Sequence, residues 1–288
     1  MKNIISYTTL PKFEYFTPLT LEEALKLLEQ NQNSVKLLAG GTDLIIELRQ
    51  RLKEPKVVID LKNIPELRDL NITRDRLEIG AATPINEILT LTEIKHSYFA
   101  LYQSLNDLGD EILRFRATIG GNICTASPAA DTACSLIVLK AEVHILSRSR
   151  GVRRVPIQEF FTGVKRNCLA PDEIVTKIVI PKPPEGTQSR FRKMKRSSED
   201  LALVGIAGLH NQQFTFLSFT AVAPTPIFVD VSSFFTNTDS KLTEEKFLAV
   251  WKELVTHLNP IDDVRASKSY RIHIAEILTR NILREIIE

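Results

Sequence analysis

Cysteine is scarce in this chain of 288 residues: Cys124, Cys134 and Cys168 are its three, with no C-x-x-C pair among them. Such a count is too low and too irregular for a disulfide framework, as expected of a reducing compartment. An iron–sulfur cluster, normally held by four thiolates, is not expected within the chain either. The five histidines (His96, His144, His210, His257, His273) show neither H-x-x-x-H nor H-E-x-x-H spacing. No helical face therefore offers two imidazoles to zinc, and no metal site is expected. An excess of one charge is also missing. The formal net charge is +2, with both signs interleaved along the chain, which gives no global field for nucleic acid or a membrane surface. Long apolar runs are absent too: the one around residues 136–139 falls far short of a bilayer span. Lys12 and Glu14 interrupt the N-terminal segment before a secretory apolar stretch builds up. A soluble, cytoplasmic protein without a membrane span is expected.

What remains is the profile of a globular protein, 43% hydrophobic and 25% charged, long enough for two or three compact domains. Residues 20–30 form an amphipathic helix, with Thr20 as N-cap, Glu22 and Glu23 in the first turn and an apolar face of Leu21, Ala24, Leu25 and Leu28. Residues 35–39 read as a short strand ending in Gly40-Gly41, and a helical pattern resumes at 43–52. Strands follow at 56–61 and 76–81, then a helix opened by Pro84 and a longer one over 96–105. Residues 114–119 lead into a second glycine pair, Gly120-Gly121, in a pattern that rhymes with the first. A helix at 131–139, a hairpin of 142–147 with 151–156 and a strand EIVTKIVI precede the proline-rich stretch PKPPEG, a candidate boundary. Beyond it lie three strands (190–196, 202–210, 214–222), the last two joined by Asn211-Gln212, and two helices (244–258, 269–287). The last third thus reads as a separate α+β unit. There is no repeat of fixed period and no low-complexity segment.

Two segments carry chemistry: KLLAGGTDL at 36–44, and ATIGGN at 117–122 followed by CTASPAADTA at 124–133. Glycine permits positive φ and removes the Cβ that keeps main chain away from a ligand, so successive N–H groups can converge on phosphate oxygens. A following helix adds the partial positive charge of its N-terminus. Thr42, Thr118 and Asn122 supply side-chain donors, while Asp43 and Asp131 are acceptors suited to ribose or ribityl hydroxyls. Either segment alone is an ordinary turn, and neither matches G-x-G-x-x-G or G-x-x-x-x-G-K-[ST]. Together they suit a ligand with two phosphates and a polyol.

AGGTDL followed by ATIGGNICTASPAADTA resembles the paired flavin-binding signature of the medium subunit of molybdenum hydroxylases, the xanthine dehydrogenase and carbon monoxide dehydrogenase family. The likeness extends through FTPLTLEEALKLL, DEIVTKIVIP, FRKMKRSSEDLALV, FTAVAPTPI and RASKSYRIHIAEILTRNI, in order along essentially the whole chain. It implies an α+β architecture: a two-subdomain FAD-binding fold of the PCMH (vanillyl-alcohol oxidase-like) type over 1–60 and 61–180, then a C-terminal α+β domain with a small antiparallel sheet and helices over 185–288. It implies FAD as the cofactor. Carried over residue by residue, it assigns Lys36, Leu37, Leu38, Ala39, Gly40, Gly41, Thr42 and Asp43 with Ala117, Thr118, Ile119, Gly120 and Gly121 to the diphosphate and adjoining sugar, with Asn122 beside them. Asp131 falls on a flavin or ribose hydroxyl. Ile174 falls where the family contacts FAD through backbone, although a plain core role suits it equally. Arg192 falls where many members carry a lysine.

The resemblance further implies that this chain passes electrons from the [2Fe-2S] clusters of a small subunit, fed by a molybdenum-cofactor large subunit, to NAD+, a quinone or another acceptor. The assembly expected is a heterotrimer doubled into a hexamer, with no acid, base or nucleophile of this chain in a catalytic role. One departure precedes the second signature, where Q-I-R-N is common and this chain has Ile112-Leu113-Arg114-Phe115; Phe115 reads as a packing residue. Ser127 lacks the glycines of a nucleophile elbow and reads as a turn residue beside Pro128. Cys124 reads as a small buried side chain near the cofactor. The cluster Arg190, Arg192, Lys193, Lys195, Arg196 has no aromatic platform for nucleic acid and reads as a strand face with one or two residues turned to FAD or a partner. Two rivals stay open: an independent flavoenzyme of the same fold, and a nucleotide-binding module without redox turnover.

Overall fold

A computed structural model describes residues 9–31, 34–197, 199–235 and 241–288. The start of the N-terminal segment read above for a secretory signal, residues 1–8, lies outside the described residues. The first unit comprises β1 (Glu14–Phe16), α1 (Leu21–Gln30), β2 (Val35–Leu38), α2 (Leu44–Arg49) and β3 (Val57–Asp60). Its strands form a parallel sheet in the order β1-β3-β2. The central strand is buried at all four positions, so it reads as a continuous apolar run closed by one carboxylate. Thr20 caps α1 by accepting the Glu23 N–H, and Ala24, Leu25 and Leu28 are its buried residues. Asp60, at the end of β3, accepts from the Tyr15 hydroxyl and from Lys62 Nζ at 2.7 Å. Burial favours its neutral form, but these bonds outweigh that and hold the carboxyl below its usual range.

The second unit holds β4 (Leu70–Ile72), β5 (Arg76–Gly80), α3 (Ile85–Leu89), α4 (Thr92–Ser97), α5 (Phe99–Asn106), α6 (Glu111–Arg114), α7 (Ile119–Thr125), α8 (Asp131–Val138), β6 (Glu142–Ser147), β7 (Gly151–Pro156), α9 (Ile157–Phe160), β8 (Phe161–Gly163), β9 (Arg166–Asn167) and β10 (Glu173–Pro181). Its main sheet is antiparallel, ordered β4-β5-β10-β6-β7, while β8 and β9 form a separate ribbon. Two expectations are corrected here. The single helix over 96–105 is two helices broken at Tyr98, which leaves helical geometry (φ −129, ψ 47) with its side chain fully buried. The second glycine pair does not follow a strand: α6 precedes it, and both glycines lie in the first turn of α7. Thr118 forces this by capping, since its Oγ1 accepts the Gly121 N–H at 2.9 Å and starts the helix at Ile119.

In the third unit β11 (Gln188–Met194), β12 (Val204–His210), β13 (Thr215–Thr220) and β14 (Ile227–Asp230) form an antiparallel sheet in sequence order, accompanied by α10 (Glu244–Leu254) and α11 (Lys268–Ile287). β14 was not expected from the sequence. The Asn211 turn is an Asx turn, in which Oδ1 accepts from Gln213 N at 2.8 Å and Phe214 N at 3.0 Å. β12 is buried at every position but the last, because α11 packs on it at Gly208 while α8 of the second unit also lies against it. Arg271 of α11 is fully buried; it donates to the carbonyls of Leu203 at 2.5 Å and Ala221 at 3.4 Å and to Asp263 Oδ1 at 2.8 Å. Ala221, left-handed at φ 64, in turn donates its N–H to the Pro128 carbonyl at 2.6 Å. The third unit therefore grips the second signature through both α8 and this turn.

Candidate functional site

The loop after β2 and the start of α7 meet face to face. A Cβ on Gly40 would stand 2.0 Å from the Arg116 carbonyl oxygen, so only glycine lets these two main chains touch. Gly120 plays the same part against the Ala81 carbonyl oxygen, 2.4 Å from where its Cβ would be. Gly41 adopts φ 79 and opens the turn. Among the described residues, the amides of Gly41, Thr42 and Asp43 donate to no protein acceptor, which leaves three donors for an anion. The two segments are also tied by side chains, because Thr125 Oγ1 donates to Asp43 Oδ2 at 2.8 Å across 82 residues of sequence.

Between them lies a cleft of about 520 Å3, within the range of small-molecule and cofactor sites. Fourteen of the seventeen expected site residues line it: Lys36, Leu37, Ala39, Gly40, Gly41, Thr42, Asp43, Ala117, Thr118, Gly120, Gly121, Asn122, Asp131 and Ile174. Leu38 and Ile119 are buried, and neither lines the cleft. Ile174 does both things the sequence left open, since it is 1% exposed in the core of the first unit and also lines the cleft. Arg192 is a correction. Its side chain is bound to Glu285 at 2.6 Å, it does not line the cleft, and it opens on a separate groove between α5, β11 and α11. Strand alternation explains this, because Ser189 and Phe191 of β11 are buried while Arg192 faces solvent.

Lys193, which the sequence reading held only as one of five cations in the basic cluster, is the functional candidate among them. It follows Ser189 and Phe191 on the inward side, its side chain is 1% exposed, and its Nζ lies 3.0 Å from Asp131 Oδ2. The inward parity of β11 was the signal that could have found it. The Asp131 Oδ1 is buried without a hydrogen-bond partner. Burial pushes this carboxyl above its usual range, and the Lys193 ammonium offsets only part of that push. The other cations of the basic cluster are also paired: Arg190 with Glu285, Lys195 with Asp107, Arg196 with Asp200. At the cleft edge, Lys53 bridges to Glu47 at 2.6 Å and Lys165 to the same carboxylate at 3.7 Å. Lys36 is pushed down from the usual lysine range, first by burial and then by Lys53. No local pattern marks Lys165, which reaches the cleft only through the fold.

Phe115 is a second correction. It is 59% exposed and packs into no core, because α6 ends at Arg114 and the side chain of Phe115 leaves the surface there. Ser127 forms the turn expected of it, with its Oγ accepting the Ala129 N–H at 3.3 Å. Cys124 lines the cleft with its thiol pushed up to about 12 by burial, so it is no thiolate at neutral pH. Among the described residues there is no group of three His, Cys, Asp or Glu side chains fit to hold a metal, and no helix long and apolar enough to cross a membrane.

Residues 11–183 match the family described as FAD binding domain in molybdopterin dehydrogenase, and residues 189–286 match the CO dehydrogenase flavoprotein C-terminal domain. Among similar proteins, the xanthine dehydrogenase FAD-binding subunit of Escherichia coli O157:H7 is 31% identical over 94% of both chains. The nicotinate dehydrogenase FAD-subunit of Eubacterium barkeri is 37% identical over 67% of each. A solved structure of carbon monoxide dehydrogenase from Hydrogenophaga pseudoflava superposes with a TM-score of 0.91 at 27% identity, covering 97% of this chain and 98% of that one. The α+β architecture expected from the sequence, an FAD-binding region followed by a C-terminal domain with a small antiparallel sheet, is the one found. The chain belongs to the family of FAD-binding subunits of molybdopterin dehydrogenases, the flavin-carrying members of oxidoreductase complexes.

Proposed function

We propose that this chain is the electron-transfer subunit of a molybdenum hydroxylase, receiving electrons from [2Fe-2S] clusters of a small subunit and delivering them to NAD+ or a quinone. A molybdenum-cofactor large subunit would complete a heterotrimer, doubled into a hexamer in the cytoplasm. The carrying observation is the meeting of both glycine turns in one cleft, where open amides and a buried acceptor face the same space. The residues fit an FAD molecule. The amides of Gly41, Thr42 and Asp43, with Lys36 nearby, suit the diphosphate, and Asp131 Oδ1 is an acceptor without a donor at hydroxyl-binding depth. Bound FAD would supply the redox chemistry, accepting and releasing electrons singly or in pairs. The protein's part is to bind, orient and shield: Ile174, Val175 and Leu108 give the cleft apolar walls, and Gly121 keeps one side free of Cβ. We further read units 1–60 and 61–180 as the two flavin-binding subdomains and 185–288 as the clamp that holds them.

The test is purification of the tagged full chain from a host that also expresses the neighbouring subunits. Expected are a flavin absorption spectrum and co-elution with a molybdenum-bearing chain. A stable, active monomer without such a partner would overturn the subunit reading, and failure to take up FAD on titration would overturn the site.

A further inference from the structure

The pair formed by Asp131 and Lys193 joins two units of the fold. Asp131 opens α8 in the second unit, and Lys193 sits in β11 of the third, on the edge strand that pairs with β12. Both side chains are almost completely buried, at 6% and 1% exposed. Of the two carboxylate oxygens, Oδ2 takes the lysine at 3.0 Å and Oδ1 is left without any partner beside the cleft. An unpartnered buried oxygen costs about 1–3 kcal/mol unless something donates to it, and among the described residues none donates to this one. A buried carboxylate with one oxygen fully committed and the other free is an acceptor of fixed direction.

We propose that Lys193 is a positioning residue for flavin binding: it holds Oδ2 of Asp131 and so turns Oδ1 toward the cleft as acceptor for a hydroxyl of the nucleotide. This rests on the FAD reading of the cleft. The C-terminal unit then supports the flavin site from behind, through the lysine and through the Ala221 N–H that holds the Pro128 carbonyl at 2.6 Å, in addition to lining the cleft with Glu199, Asp200 and Leu201. Charge accounting supports the assignment. The other charged groups near Asp131 are Asp107, which follows α5, and Lys195, which follows β11; they are paired with each other and act on it in opposite directions. On its own helix Cys134 stays neutral, its thiol pushed up to about 12 by burial. Lys193 is therefore the cation that opposes the upward push of burial on Asp131. Without it the upward push of burial is less opposed and the carboxyl moves further toward its protonated form, and a protonated acid can no longer accept equally through both oxygens.

The experiment measures FAD affinity of the full-length protein by flavin fluorescence quenching from pH 6 to 9, for wild type, Lys193→Met, Lys193→Arg, Asp131→Asn and the double variant Lys193→Met/Asp131→Asn. Wild type should bind with a shallower pH dependence than Lys193→Met. Lys193→Met should bind roughly 10- to 100-fold more weakly at pH 7, the loss of one charge-assisted hydrogen bond. Its affinity should rise toward pH 9 as the raised carboxyl ionises, because the ionised form is the acceptor. Lys193→Arg, which keeps the cation, should restore most of the affinity and the shallower, wild-type pH dependence. The double variant removes the buried unpaired charge, keeps the fold measurable and should bind no more weakly than Asp131→Asn alone. Wild-type affinity and a wild-type pH dependence in Lys193→Met, beside FAD-binding wild type, would overturn the positioning role. An equal, pH-independent loss in Lys193→Met and Lys193→Arg would also overturn it, in favour of plain structural damage. Absence of FAD binding by wild type would instead overturn the reading on which the proposal rests.

Discussion

The two glycine pairs are alike in sequence and opposite in construction. Gly40-Gly41 lies in an open loop after a parallel strand, where Gly41 is left-handed and the following amides donate to no acceptor among the described residues. Gly120-Gly121 lies inside a capped helical turn, where Thr118 already takes the Gly121 amide. Within each pair, however, the division of labour is the same. The first glycine lets two protein main chains touch, Gly40 against Arg116 and Gly120 against Ala81, and the second faces the cleft with only side-chain atoms near its missing Cβ. Close approach of protein to protein and close approach of protein to ligand are thus separate demands, met by adjacent residues.

Gly40→Ala should give the largest effect, because the contact it breaks is between two backbones and neither can rotate away. A Cβ 2.0 Å from a carbonyl oxygen must move residues 116–117. The expected cost is about 3 kcal/mol, read as a fall in Tm of roughly 6–12 °C, together with loss of bound flavin as the two signatures separate. An unchanged Tm in this variant would break the division at its first position.

The second position should separate binding from stability. Gly41→Val must hold a β-branched residue at φ 79, a strain of about 1–2 kcal/mol, but its Cβ meets only the flexible end of Leu38 at 2.9 Å. Flavin retention should be abolished while the apo-protein still folds cooperatively. Gly121→Ala places a better helix former in α7 with its Cβ 3.0 Å from Thr118 Oγ1. Its apo stability should stay within about 1 kcal/mol of wild type, yet FAD should bind more weakly. If both variants retained flavin at wild-type levels, the cleft-facing role of the second glycine would be wrong.

Much of this site was legible because it is built from short continuous segments. Residues 36–43 and 117–122 each bring their own turn, so composition alone pointed to the backbone donors, and Thr20 announced α1 through its capping pattern. What could not be read were the consequences of parity and of distant packing. Thr118 shifts the second glycine pair from a loop into a helix by one side-chain bond. Arg192 and Lys193 differ by one step along a strand, which sends one to Glu285 and the other to Asp131. Lys165 and Ile174 reach the cleft only once the sheet of the second unit has formed. Phe115, an aromatic that composition would bury, is exposed because the turn carrying it ends there.

Thr125→Val sharpens the comparison at its weakest link, the side-chain bond from the second signature to Asp43 of the first. The substitution keeps the shape of the side chain and removes only the hydroxyl that donates at 2.8 Å. Because this bond is exposed, water can replace it in the apo-protein, so Tm should shift by no more than about 2 °C. In the proposed FAD complex the same bond would hold the Asp43 loop against α7 while the neighbouring amides engage the diphosphate. Its loss should therefore appear in binding, as an affinity for FAD about three- to tenfold lower. Asp43→Asn, which retains an acceptor oxygen for Thr125, should fall between this variant and wild type. Equal affinities for all three proteins would mean that the Gly40–Arg116 backbone contact alone sets the spacing of the two turns, and that the side-chain tie is incidental.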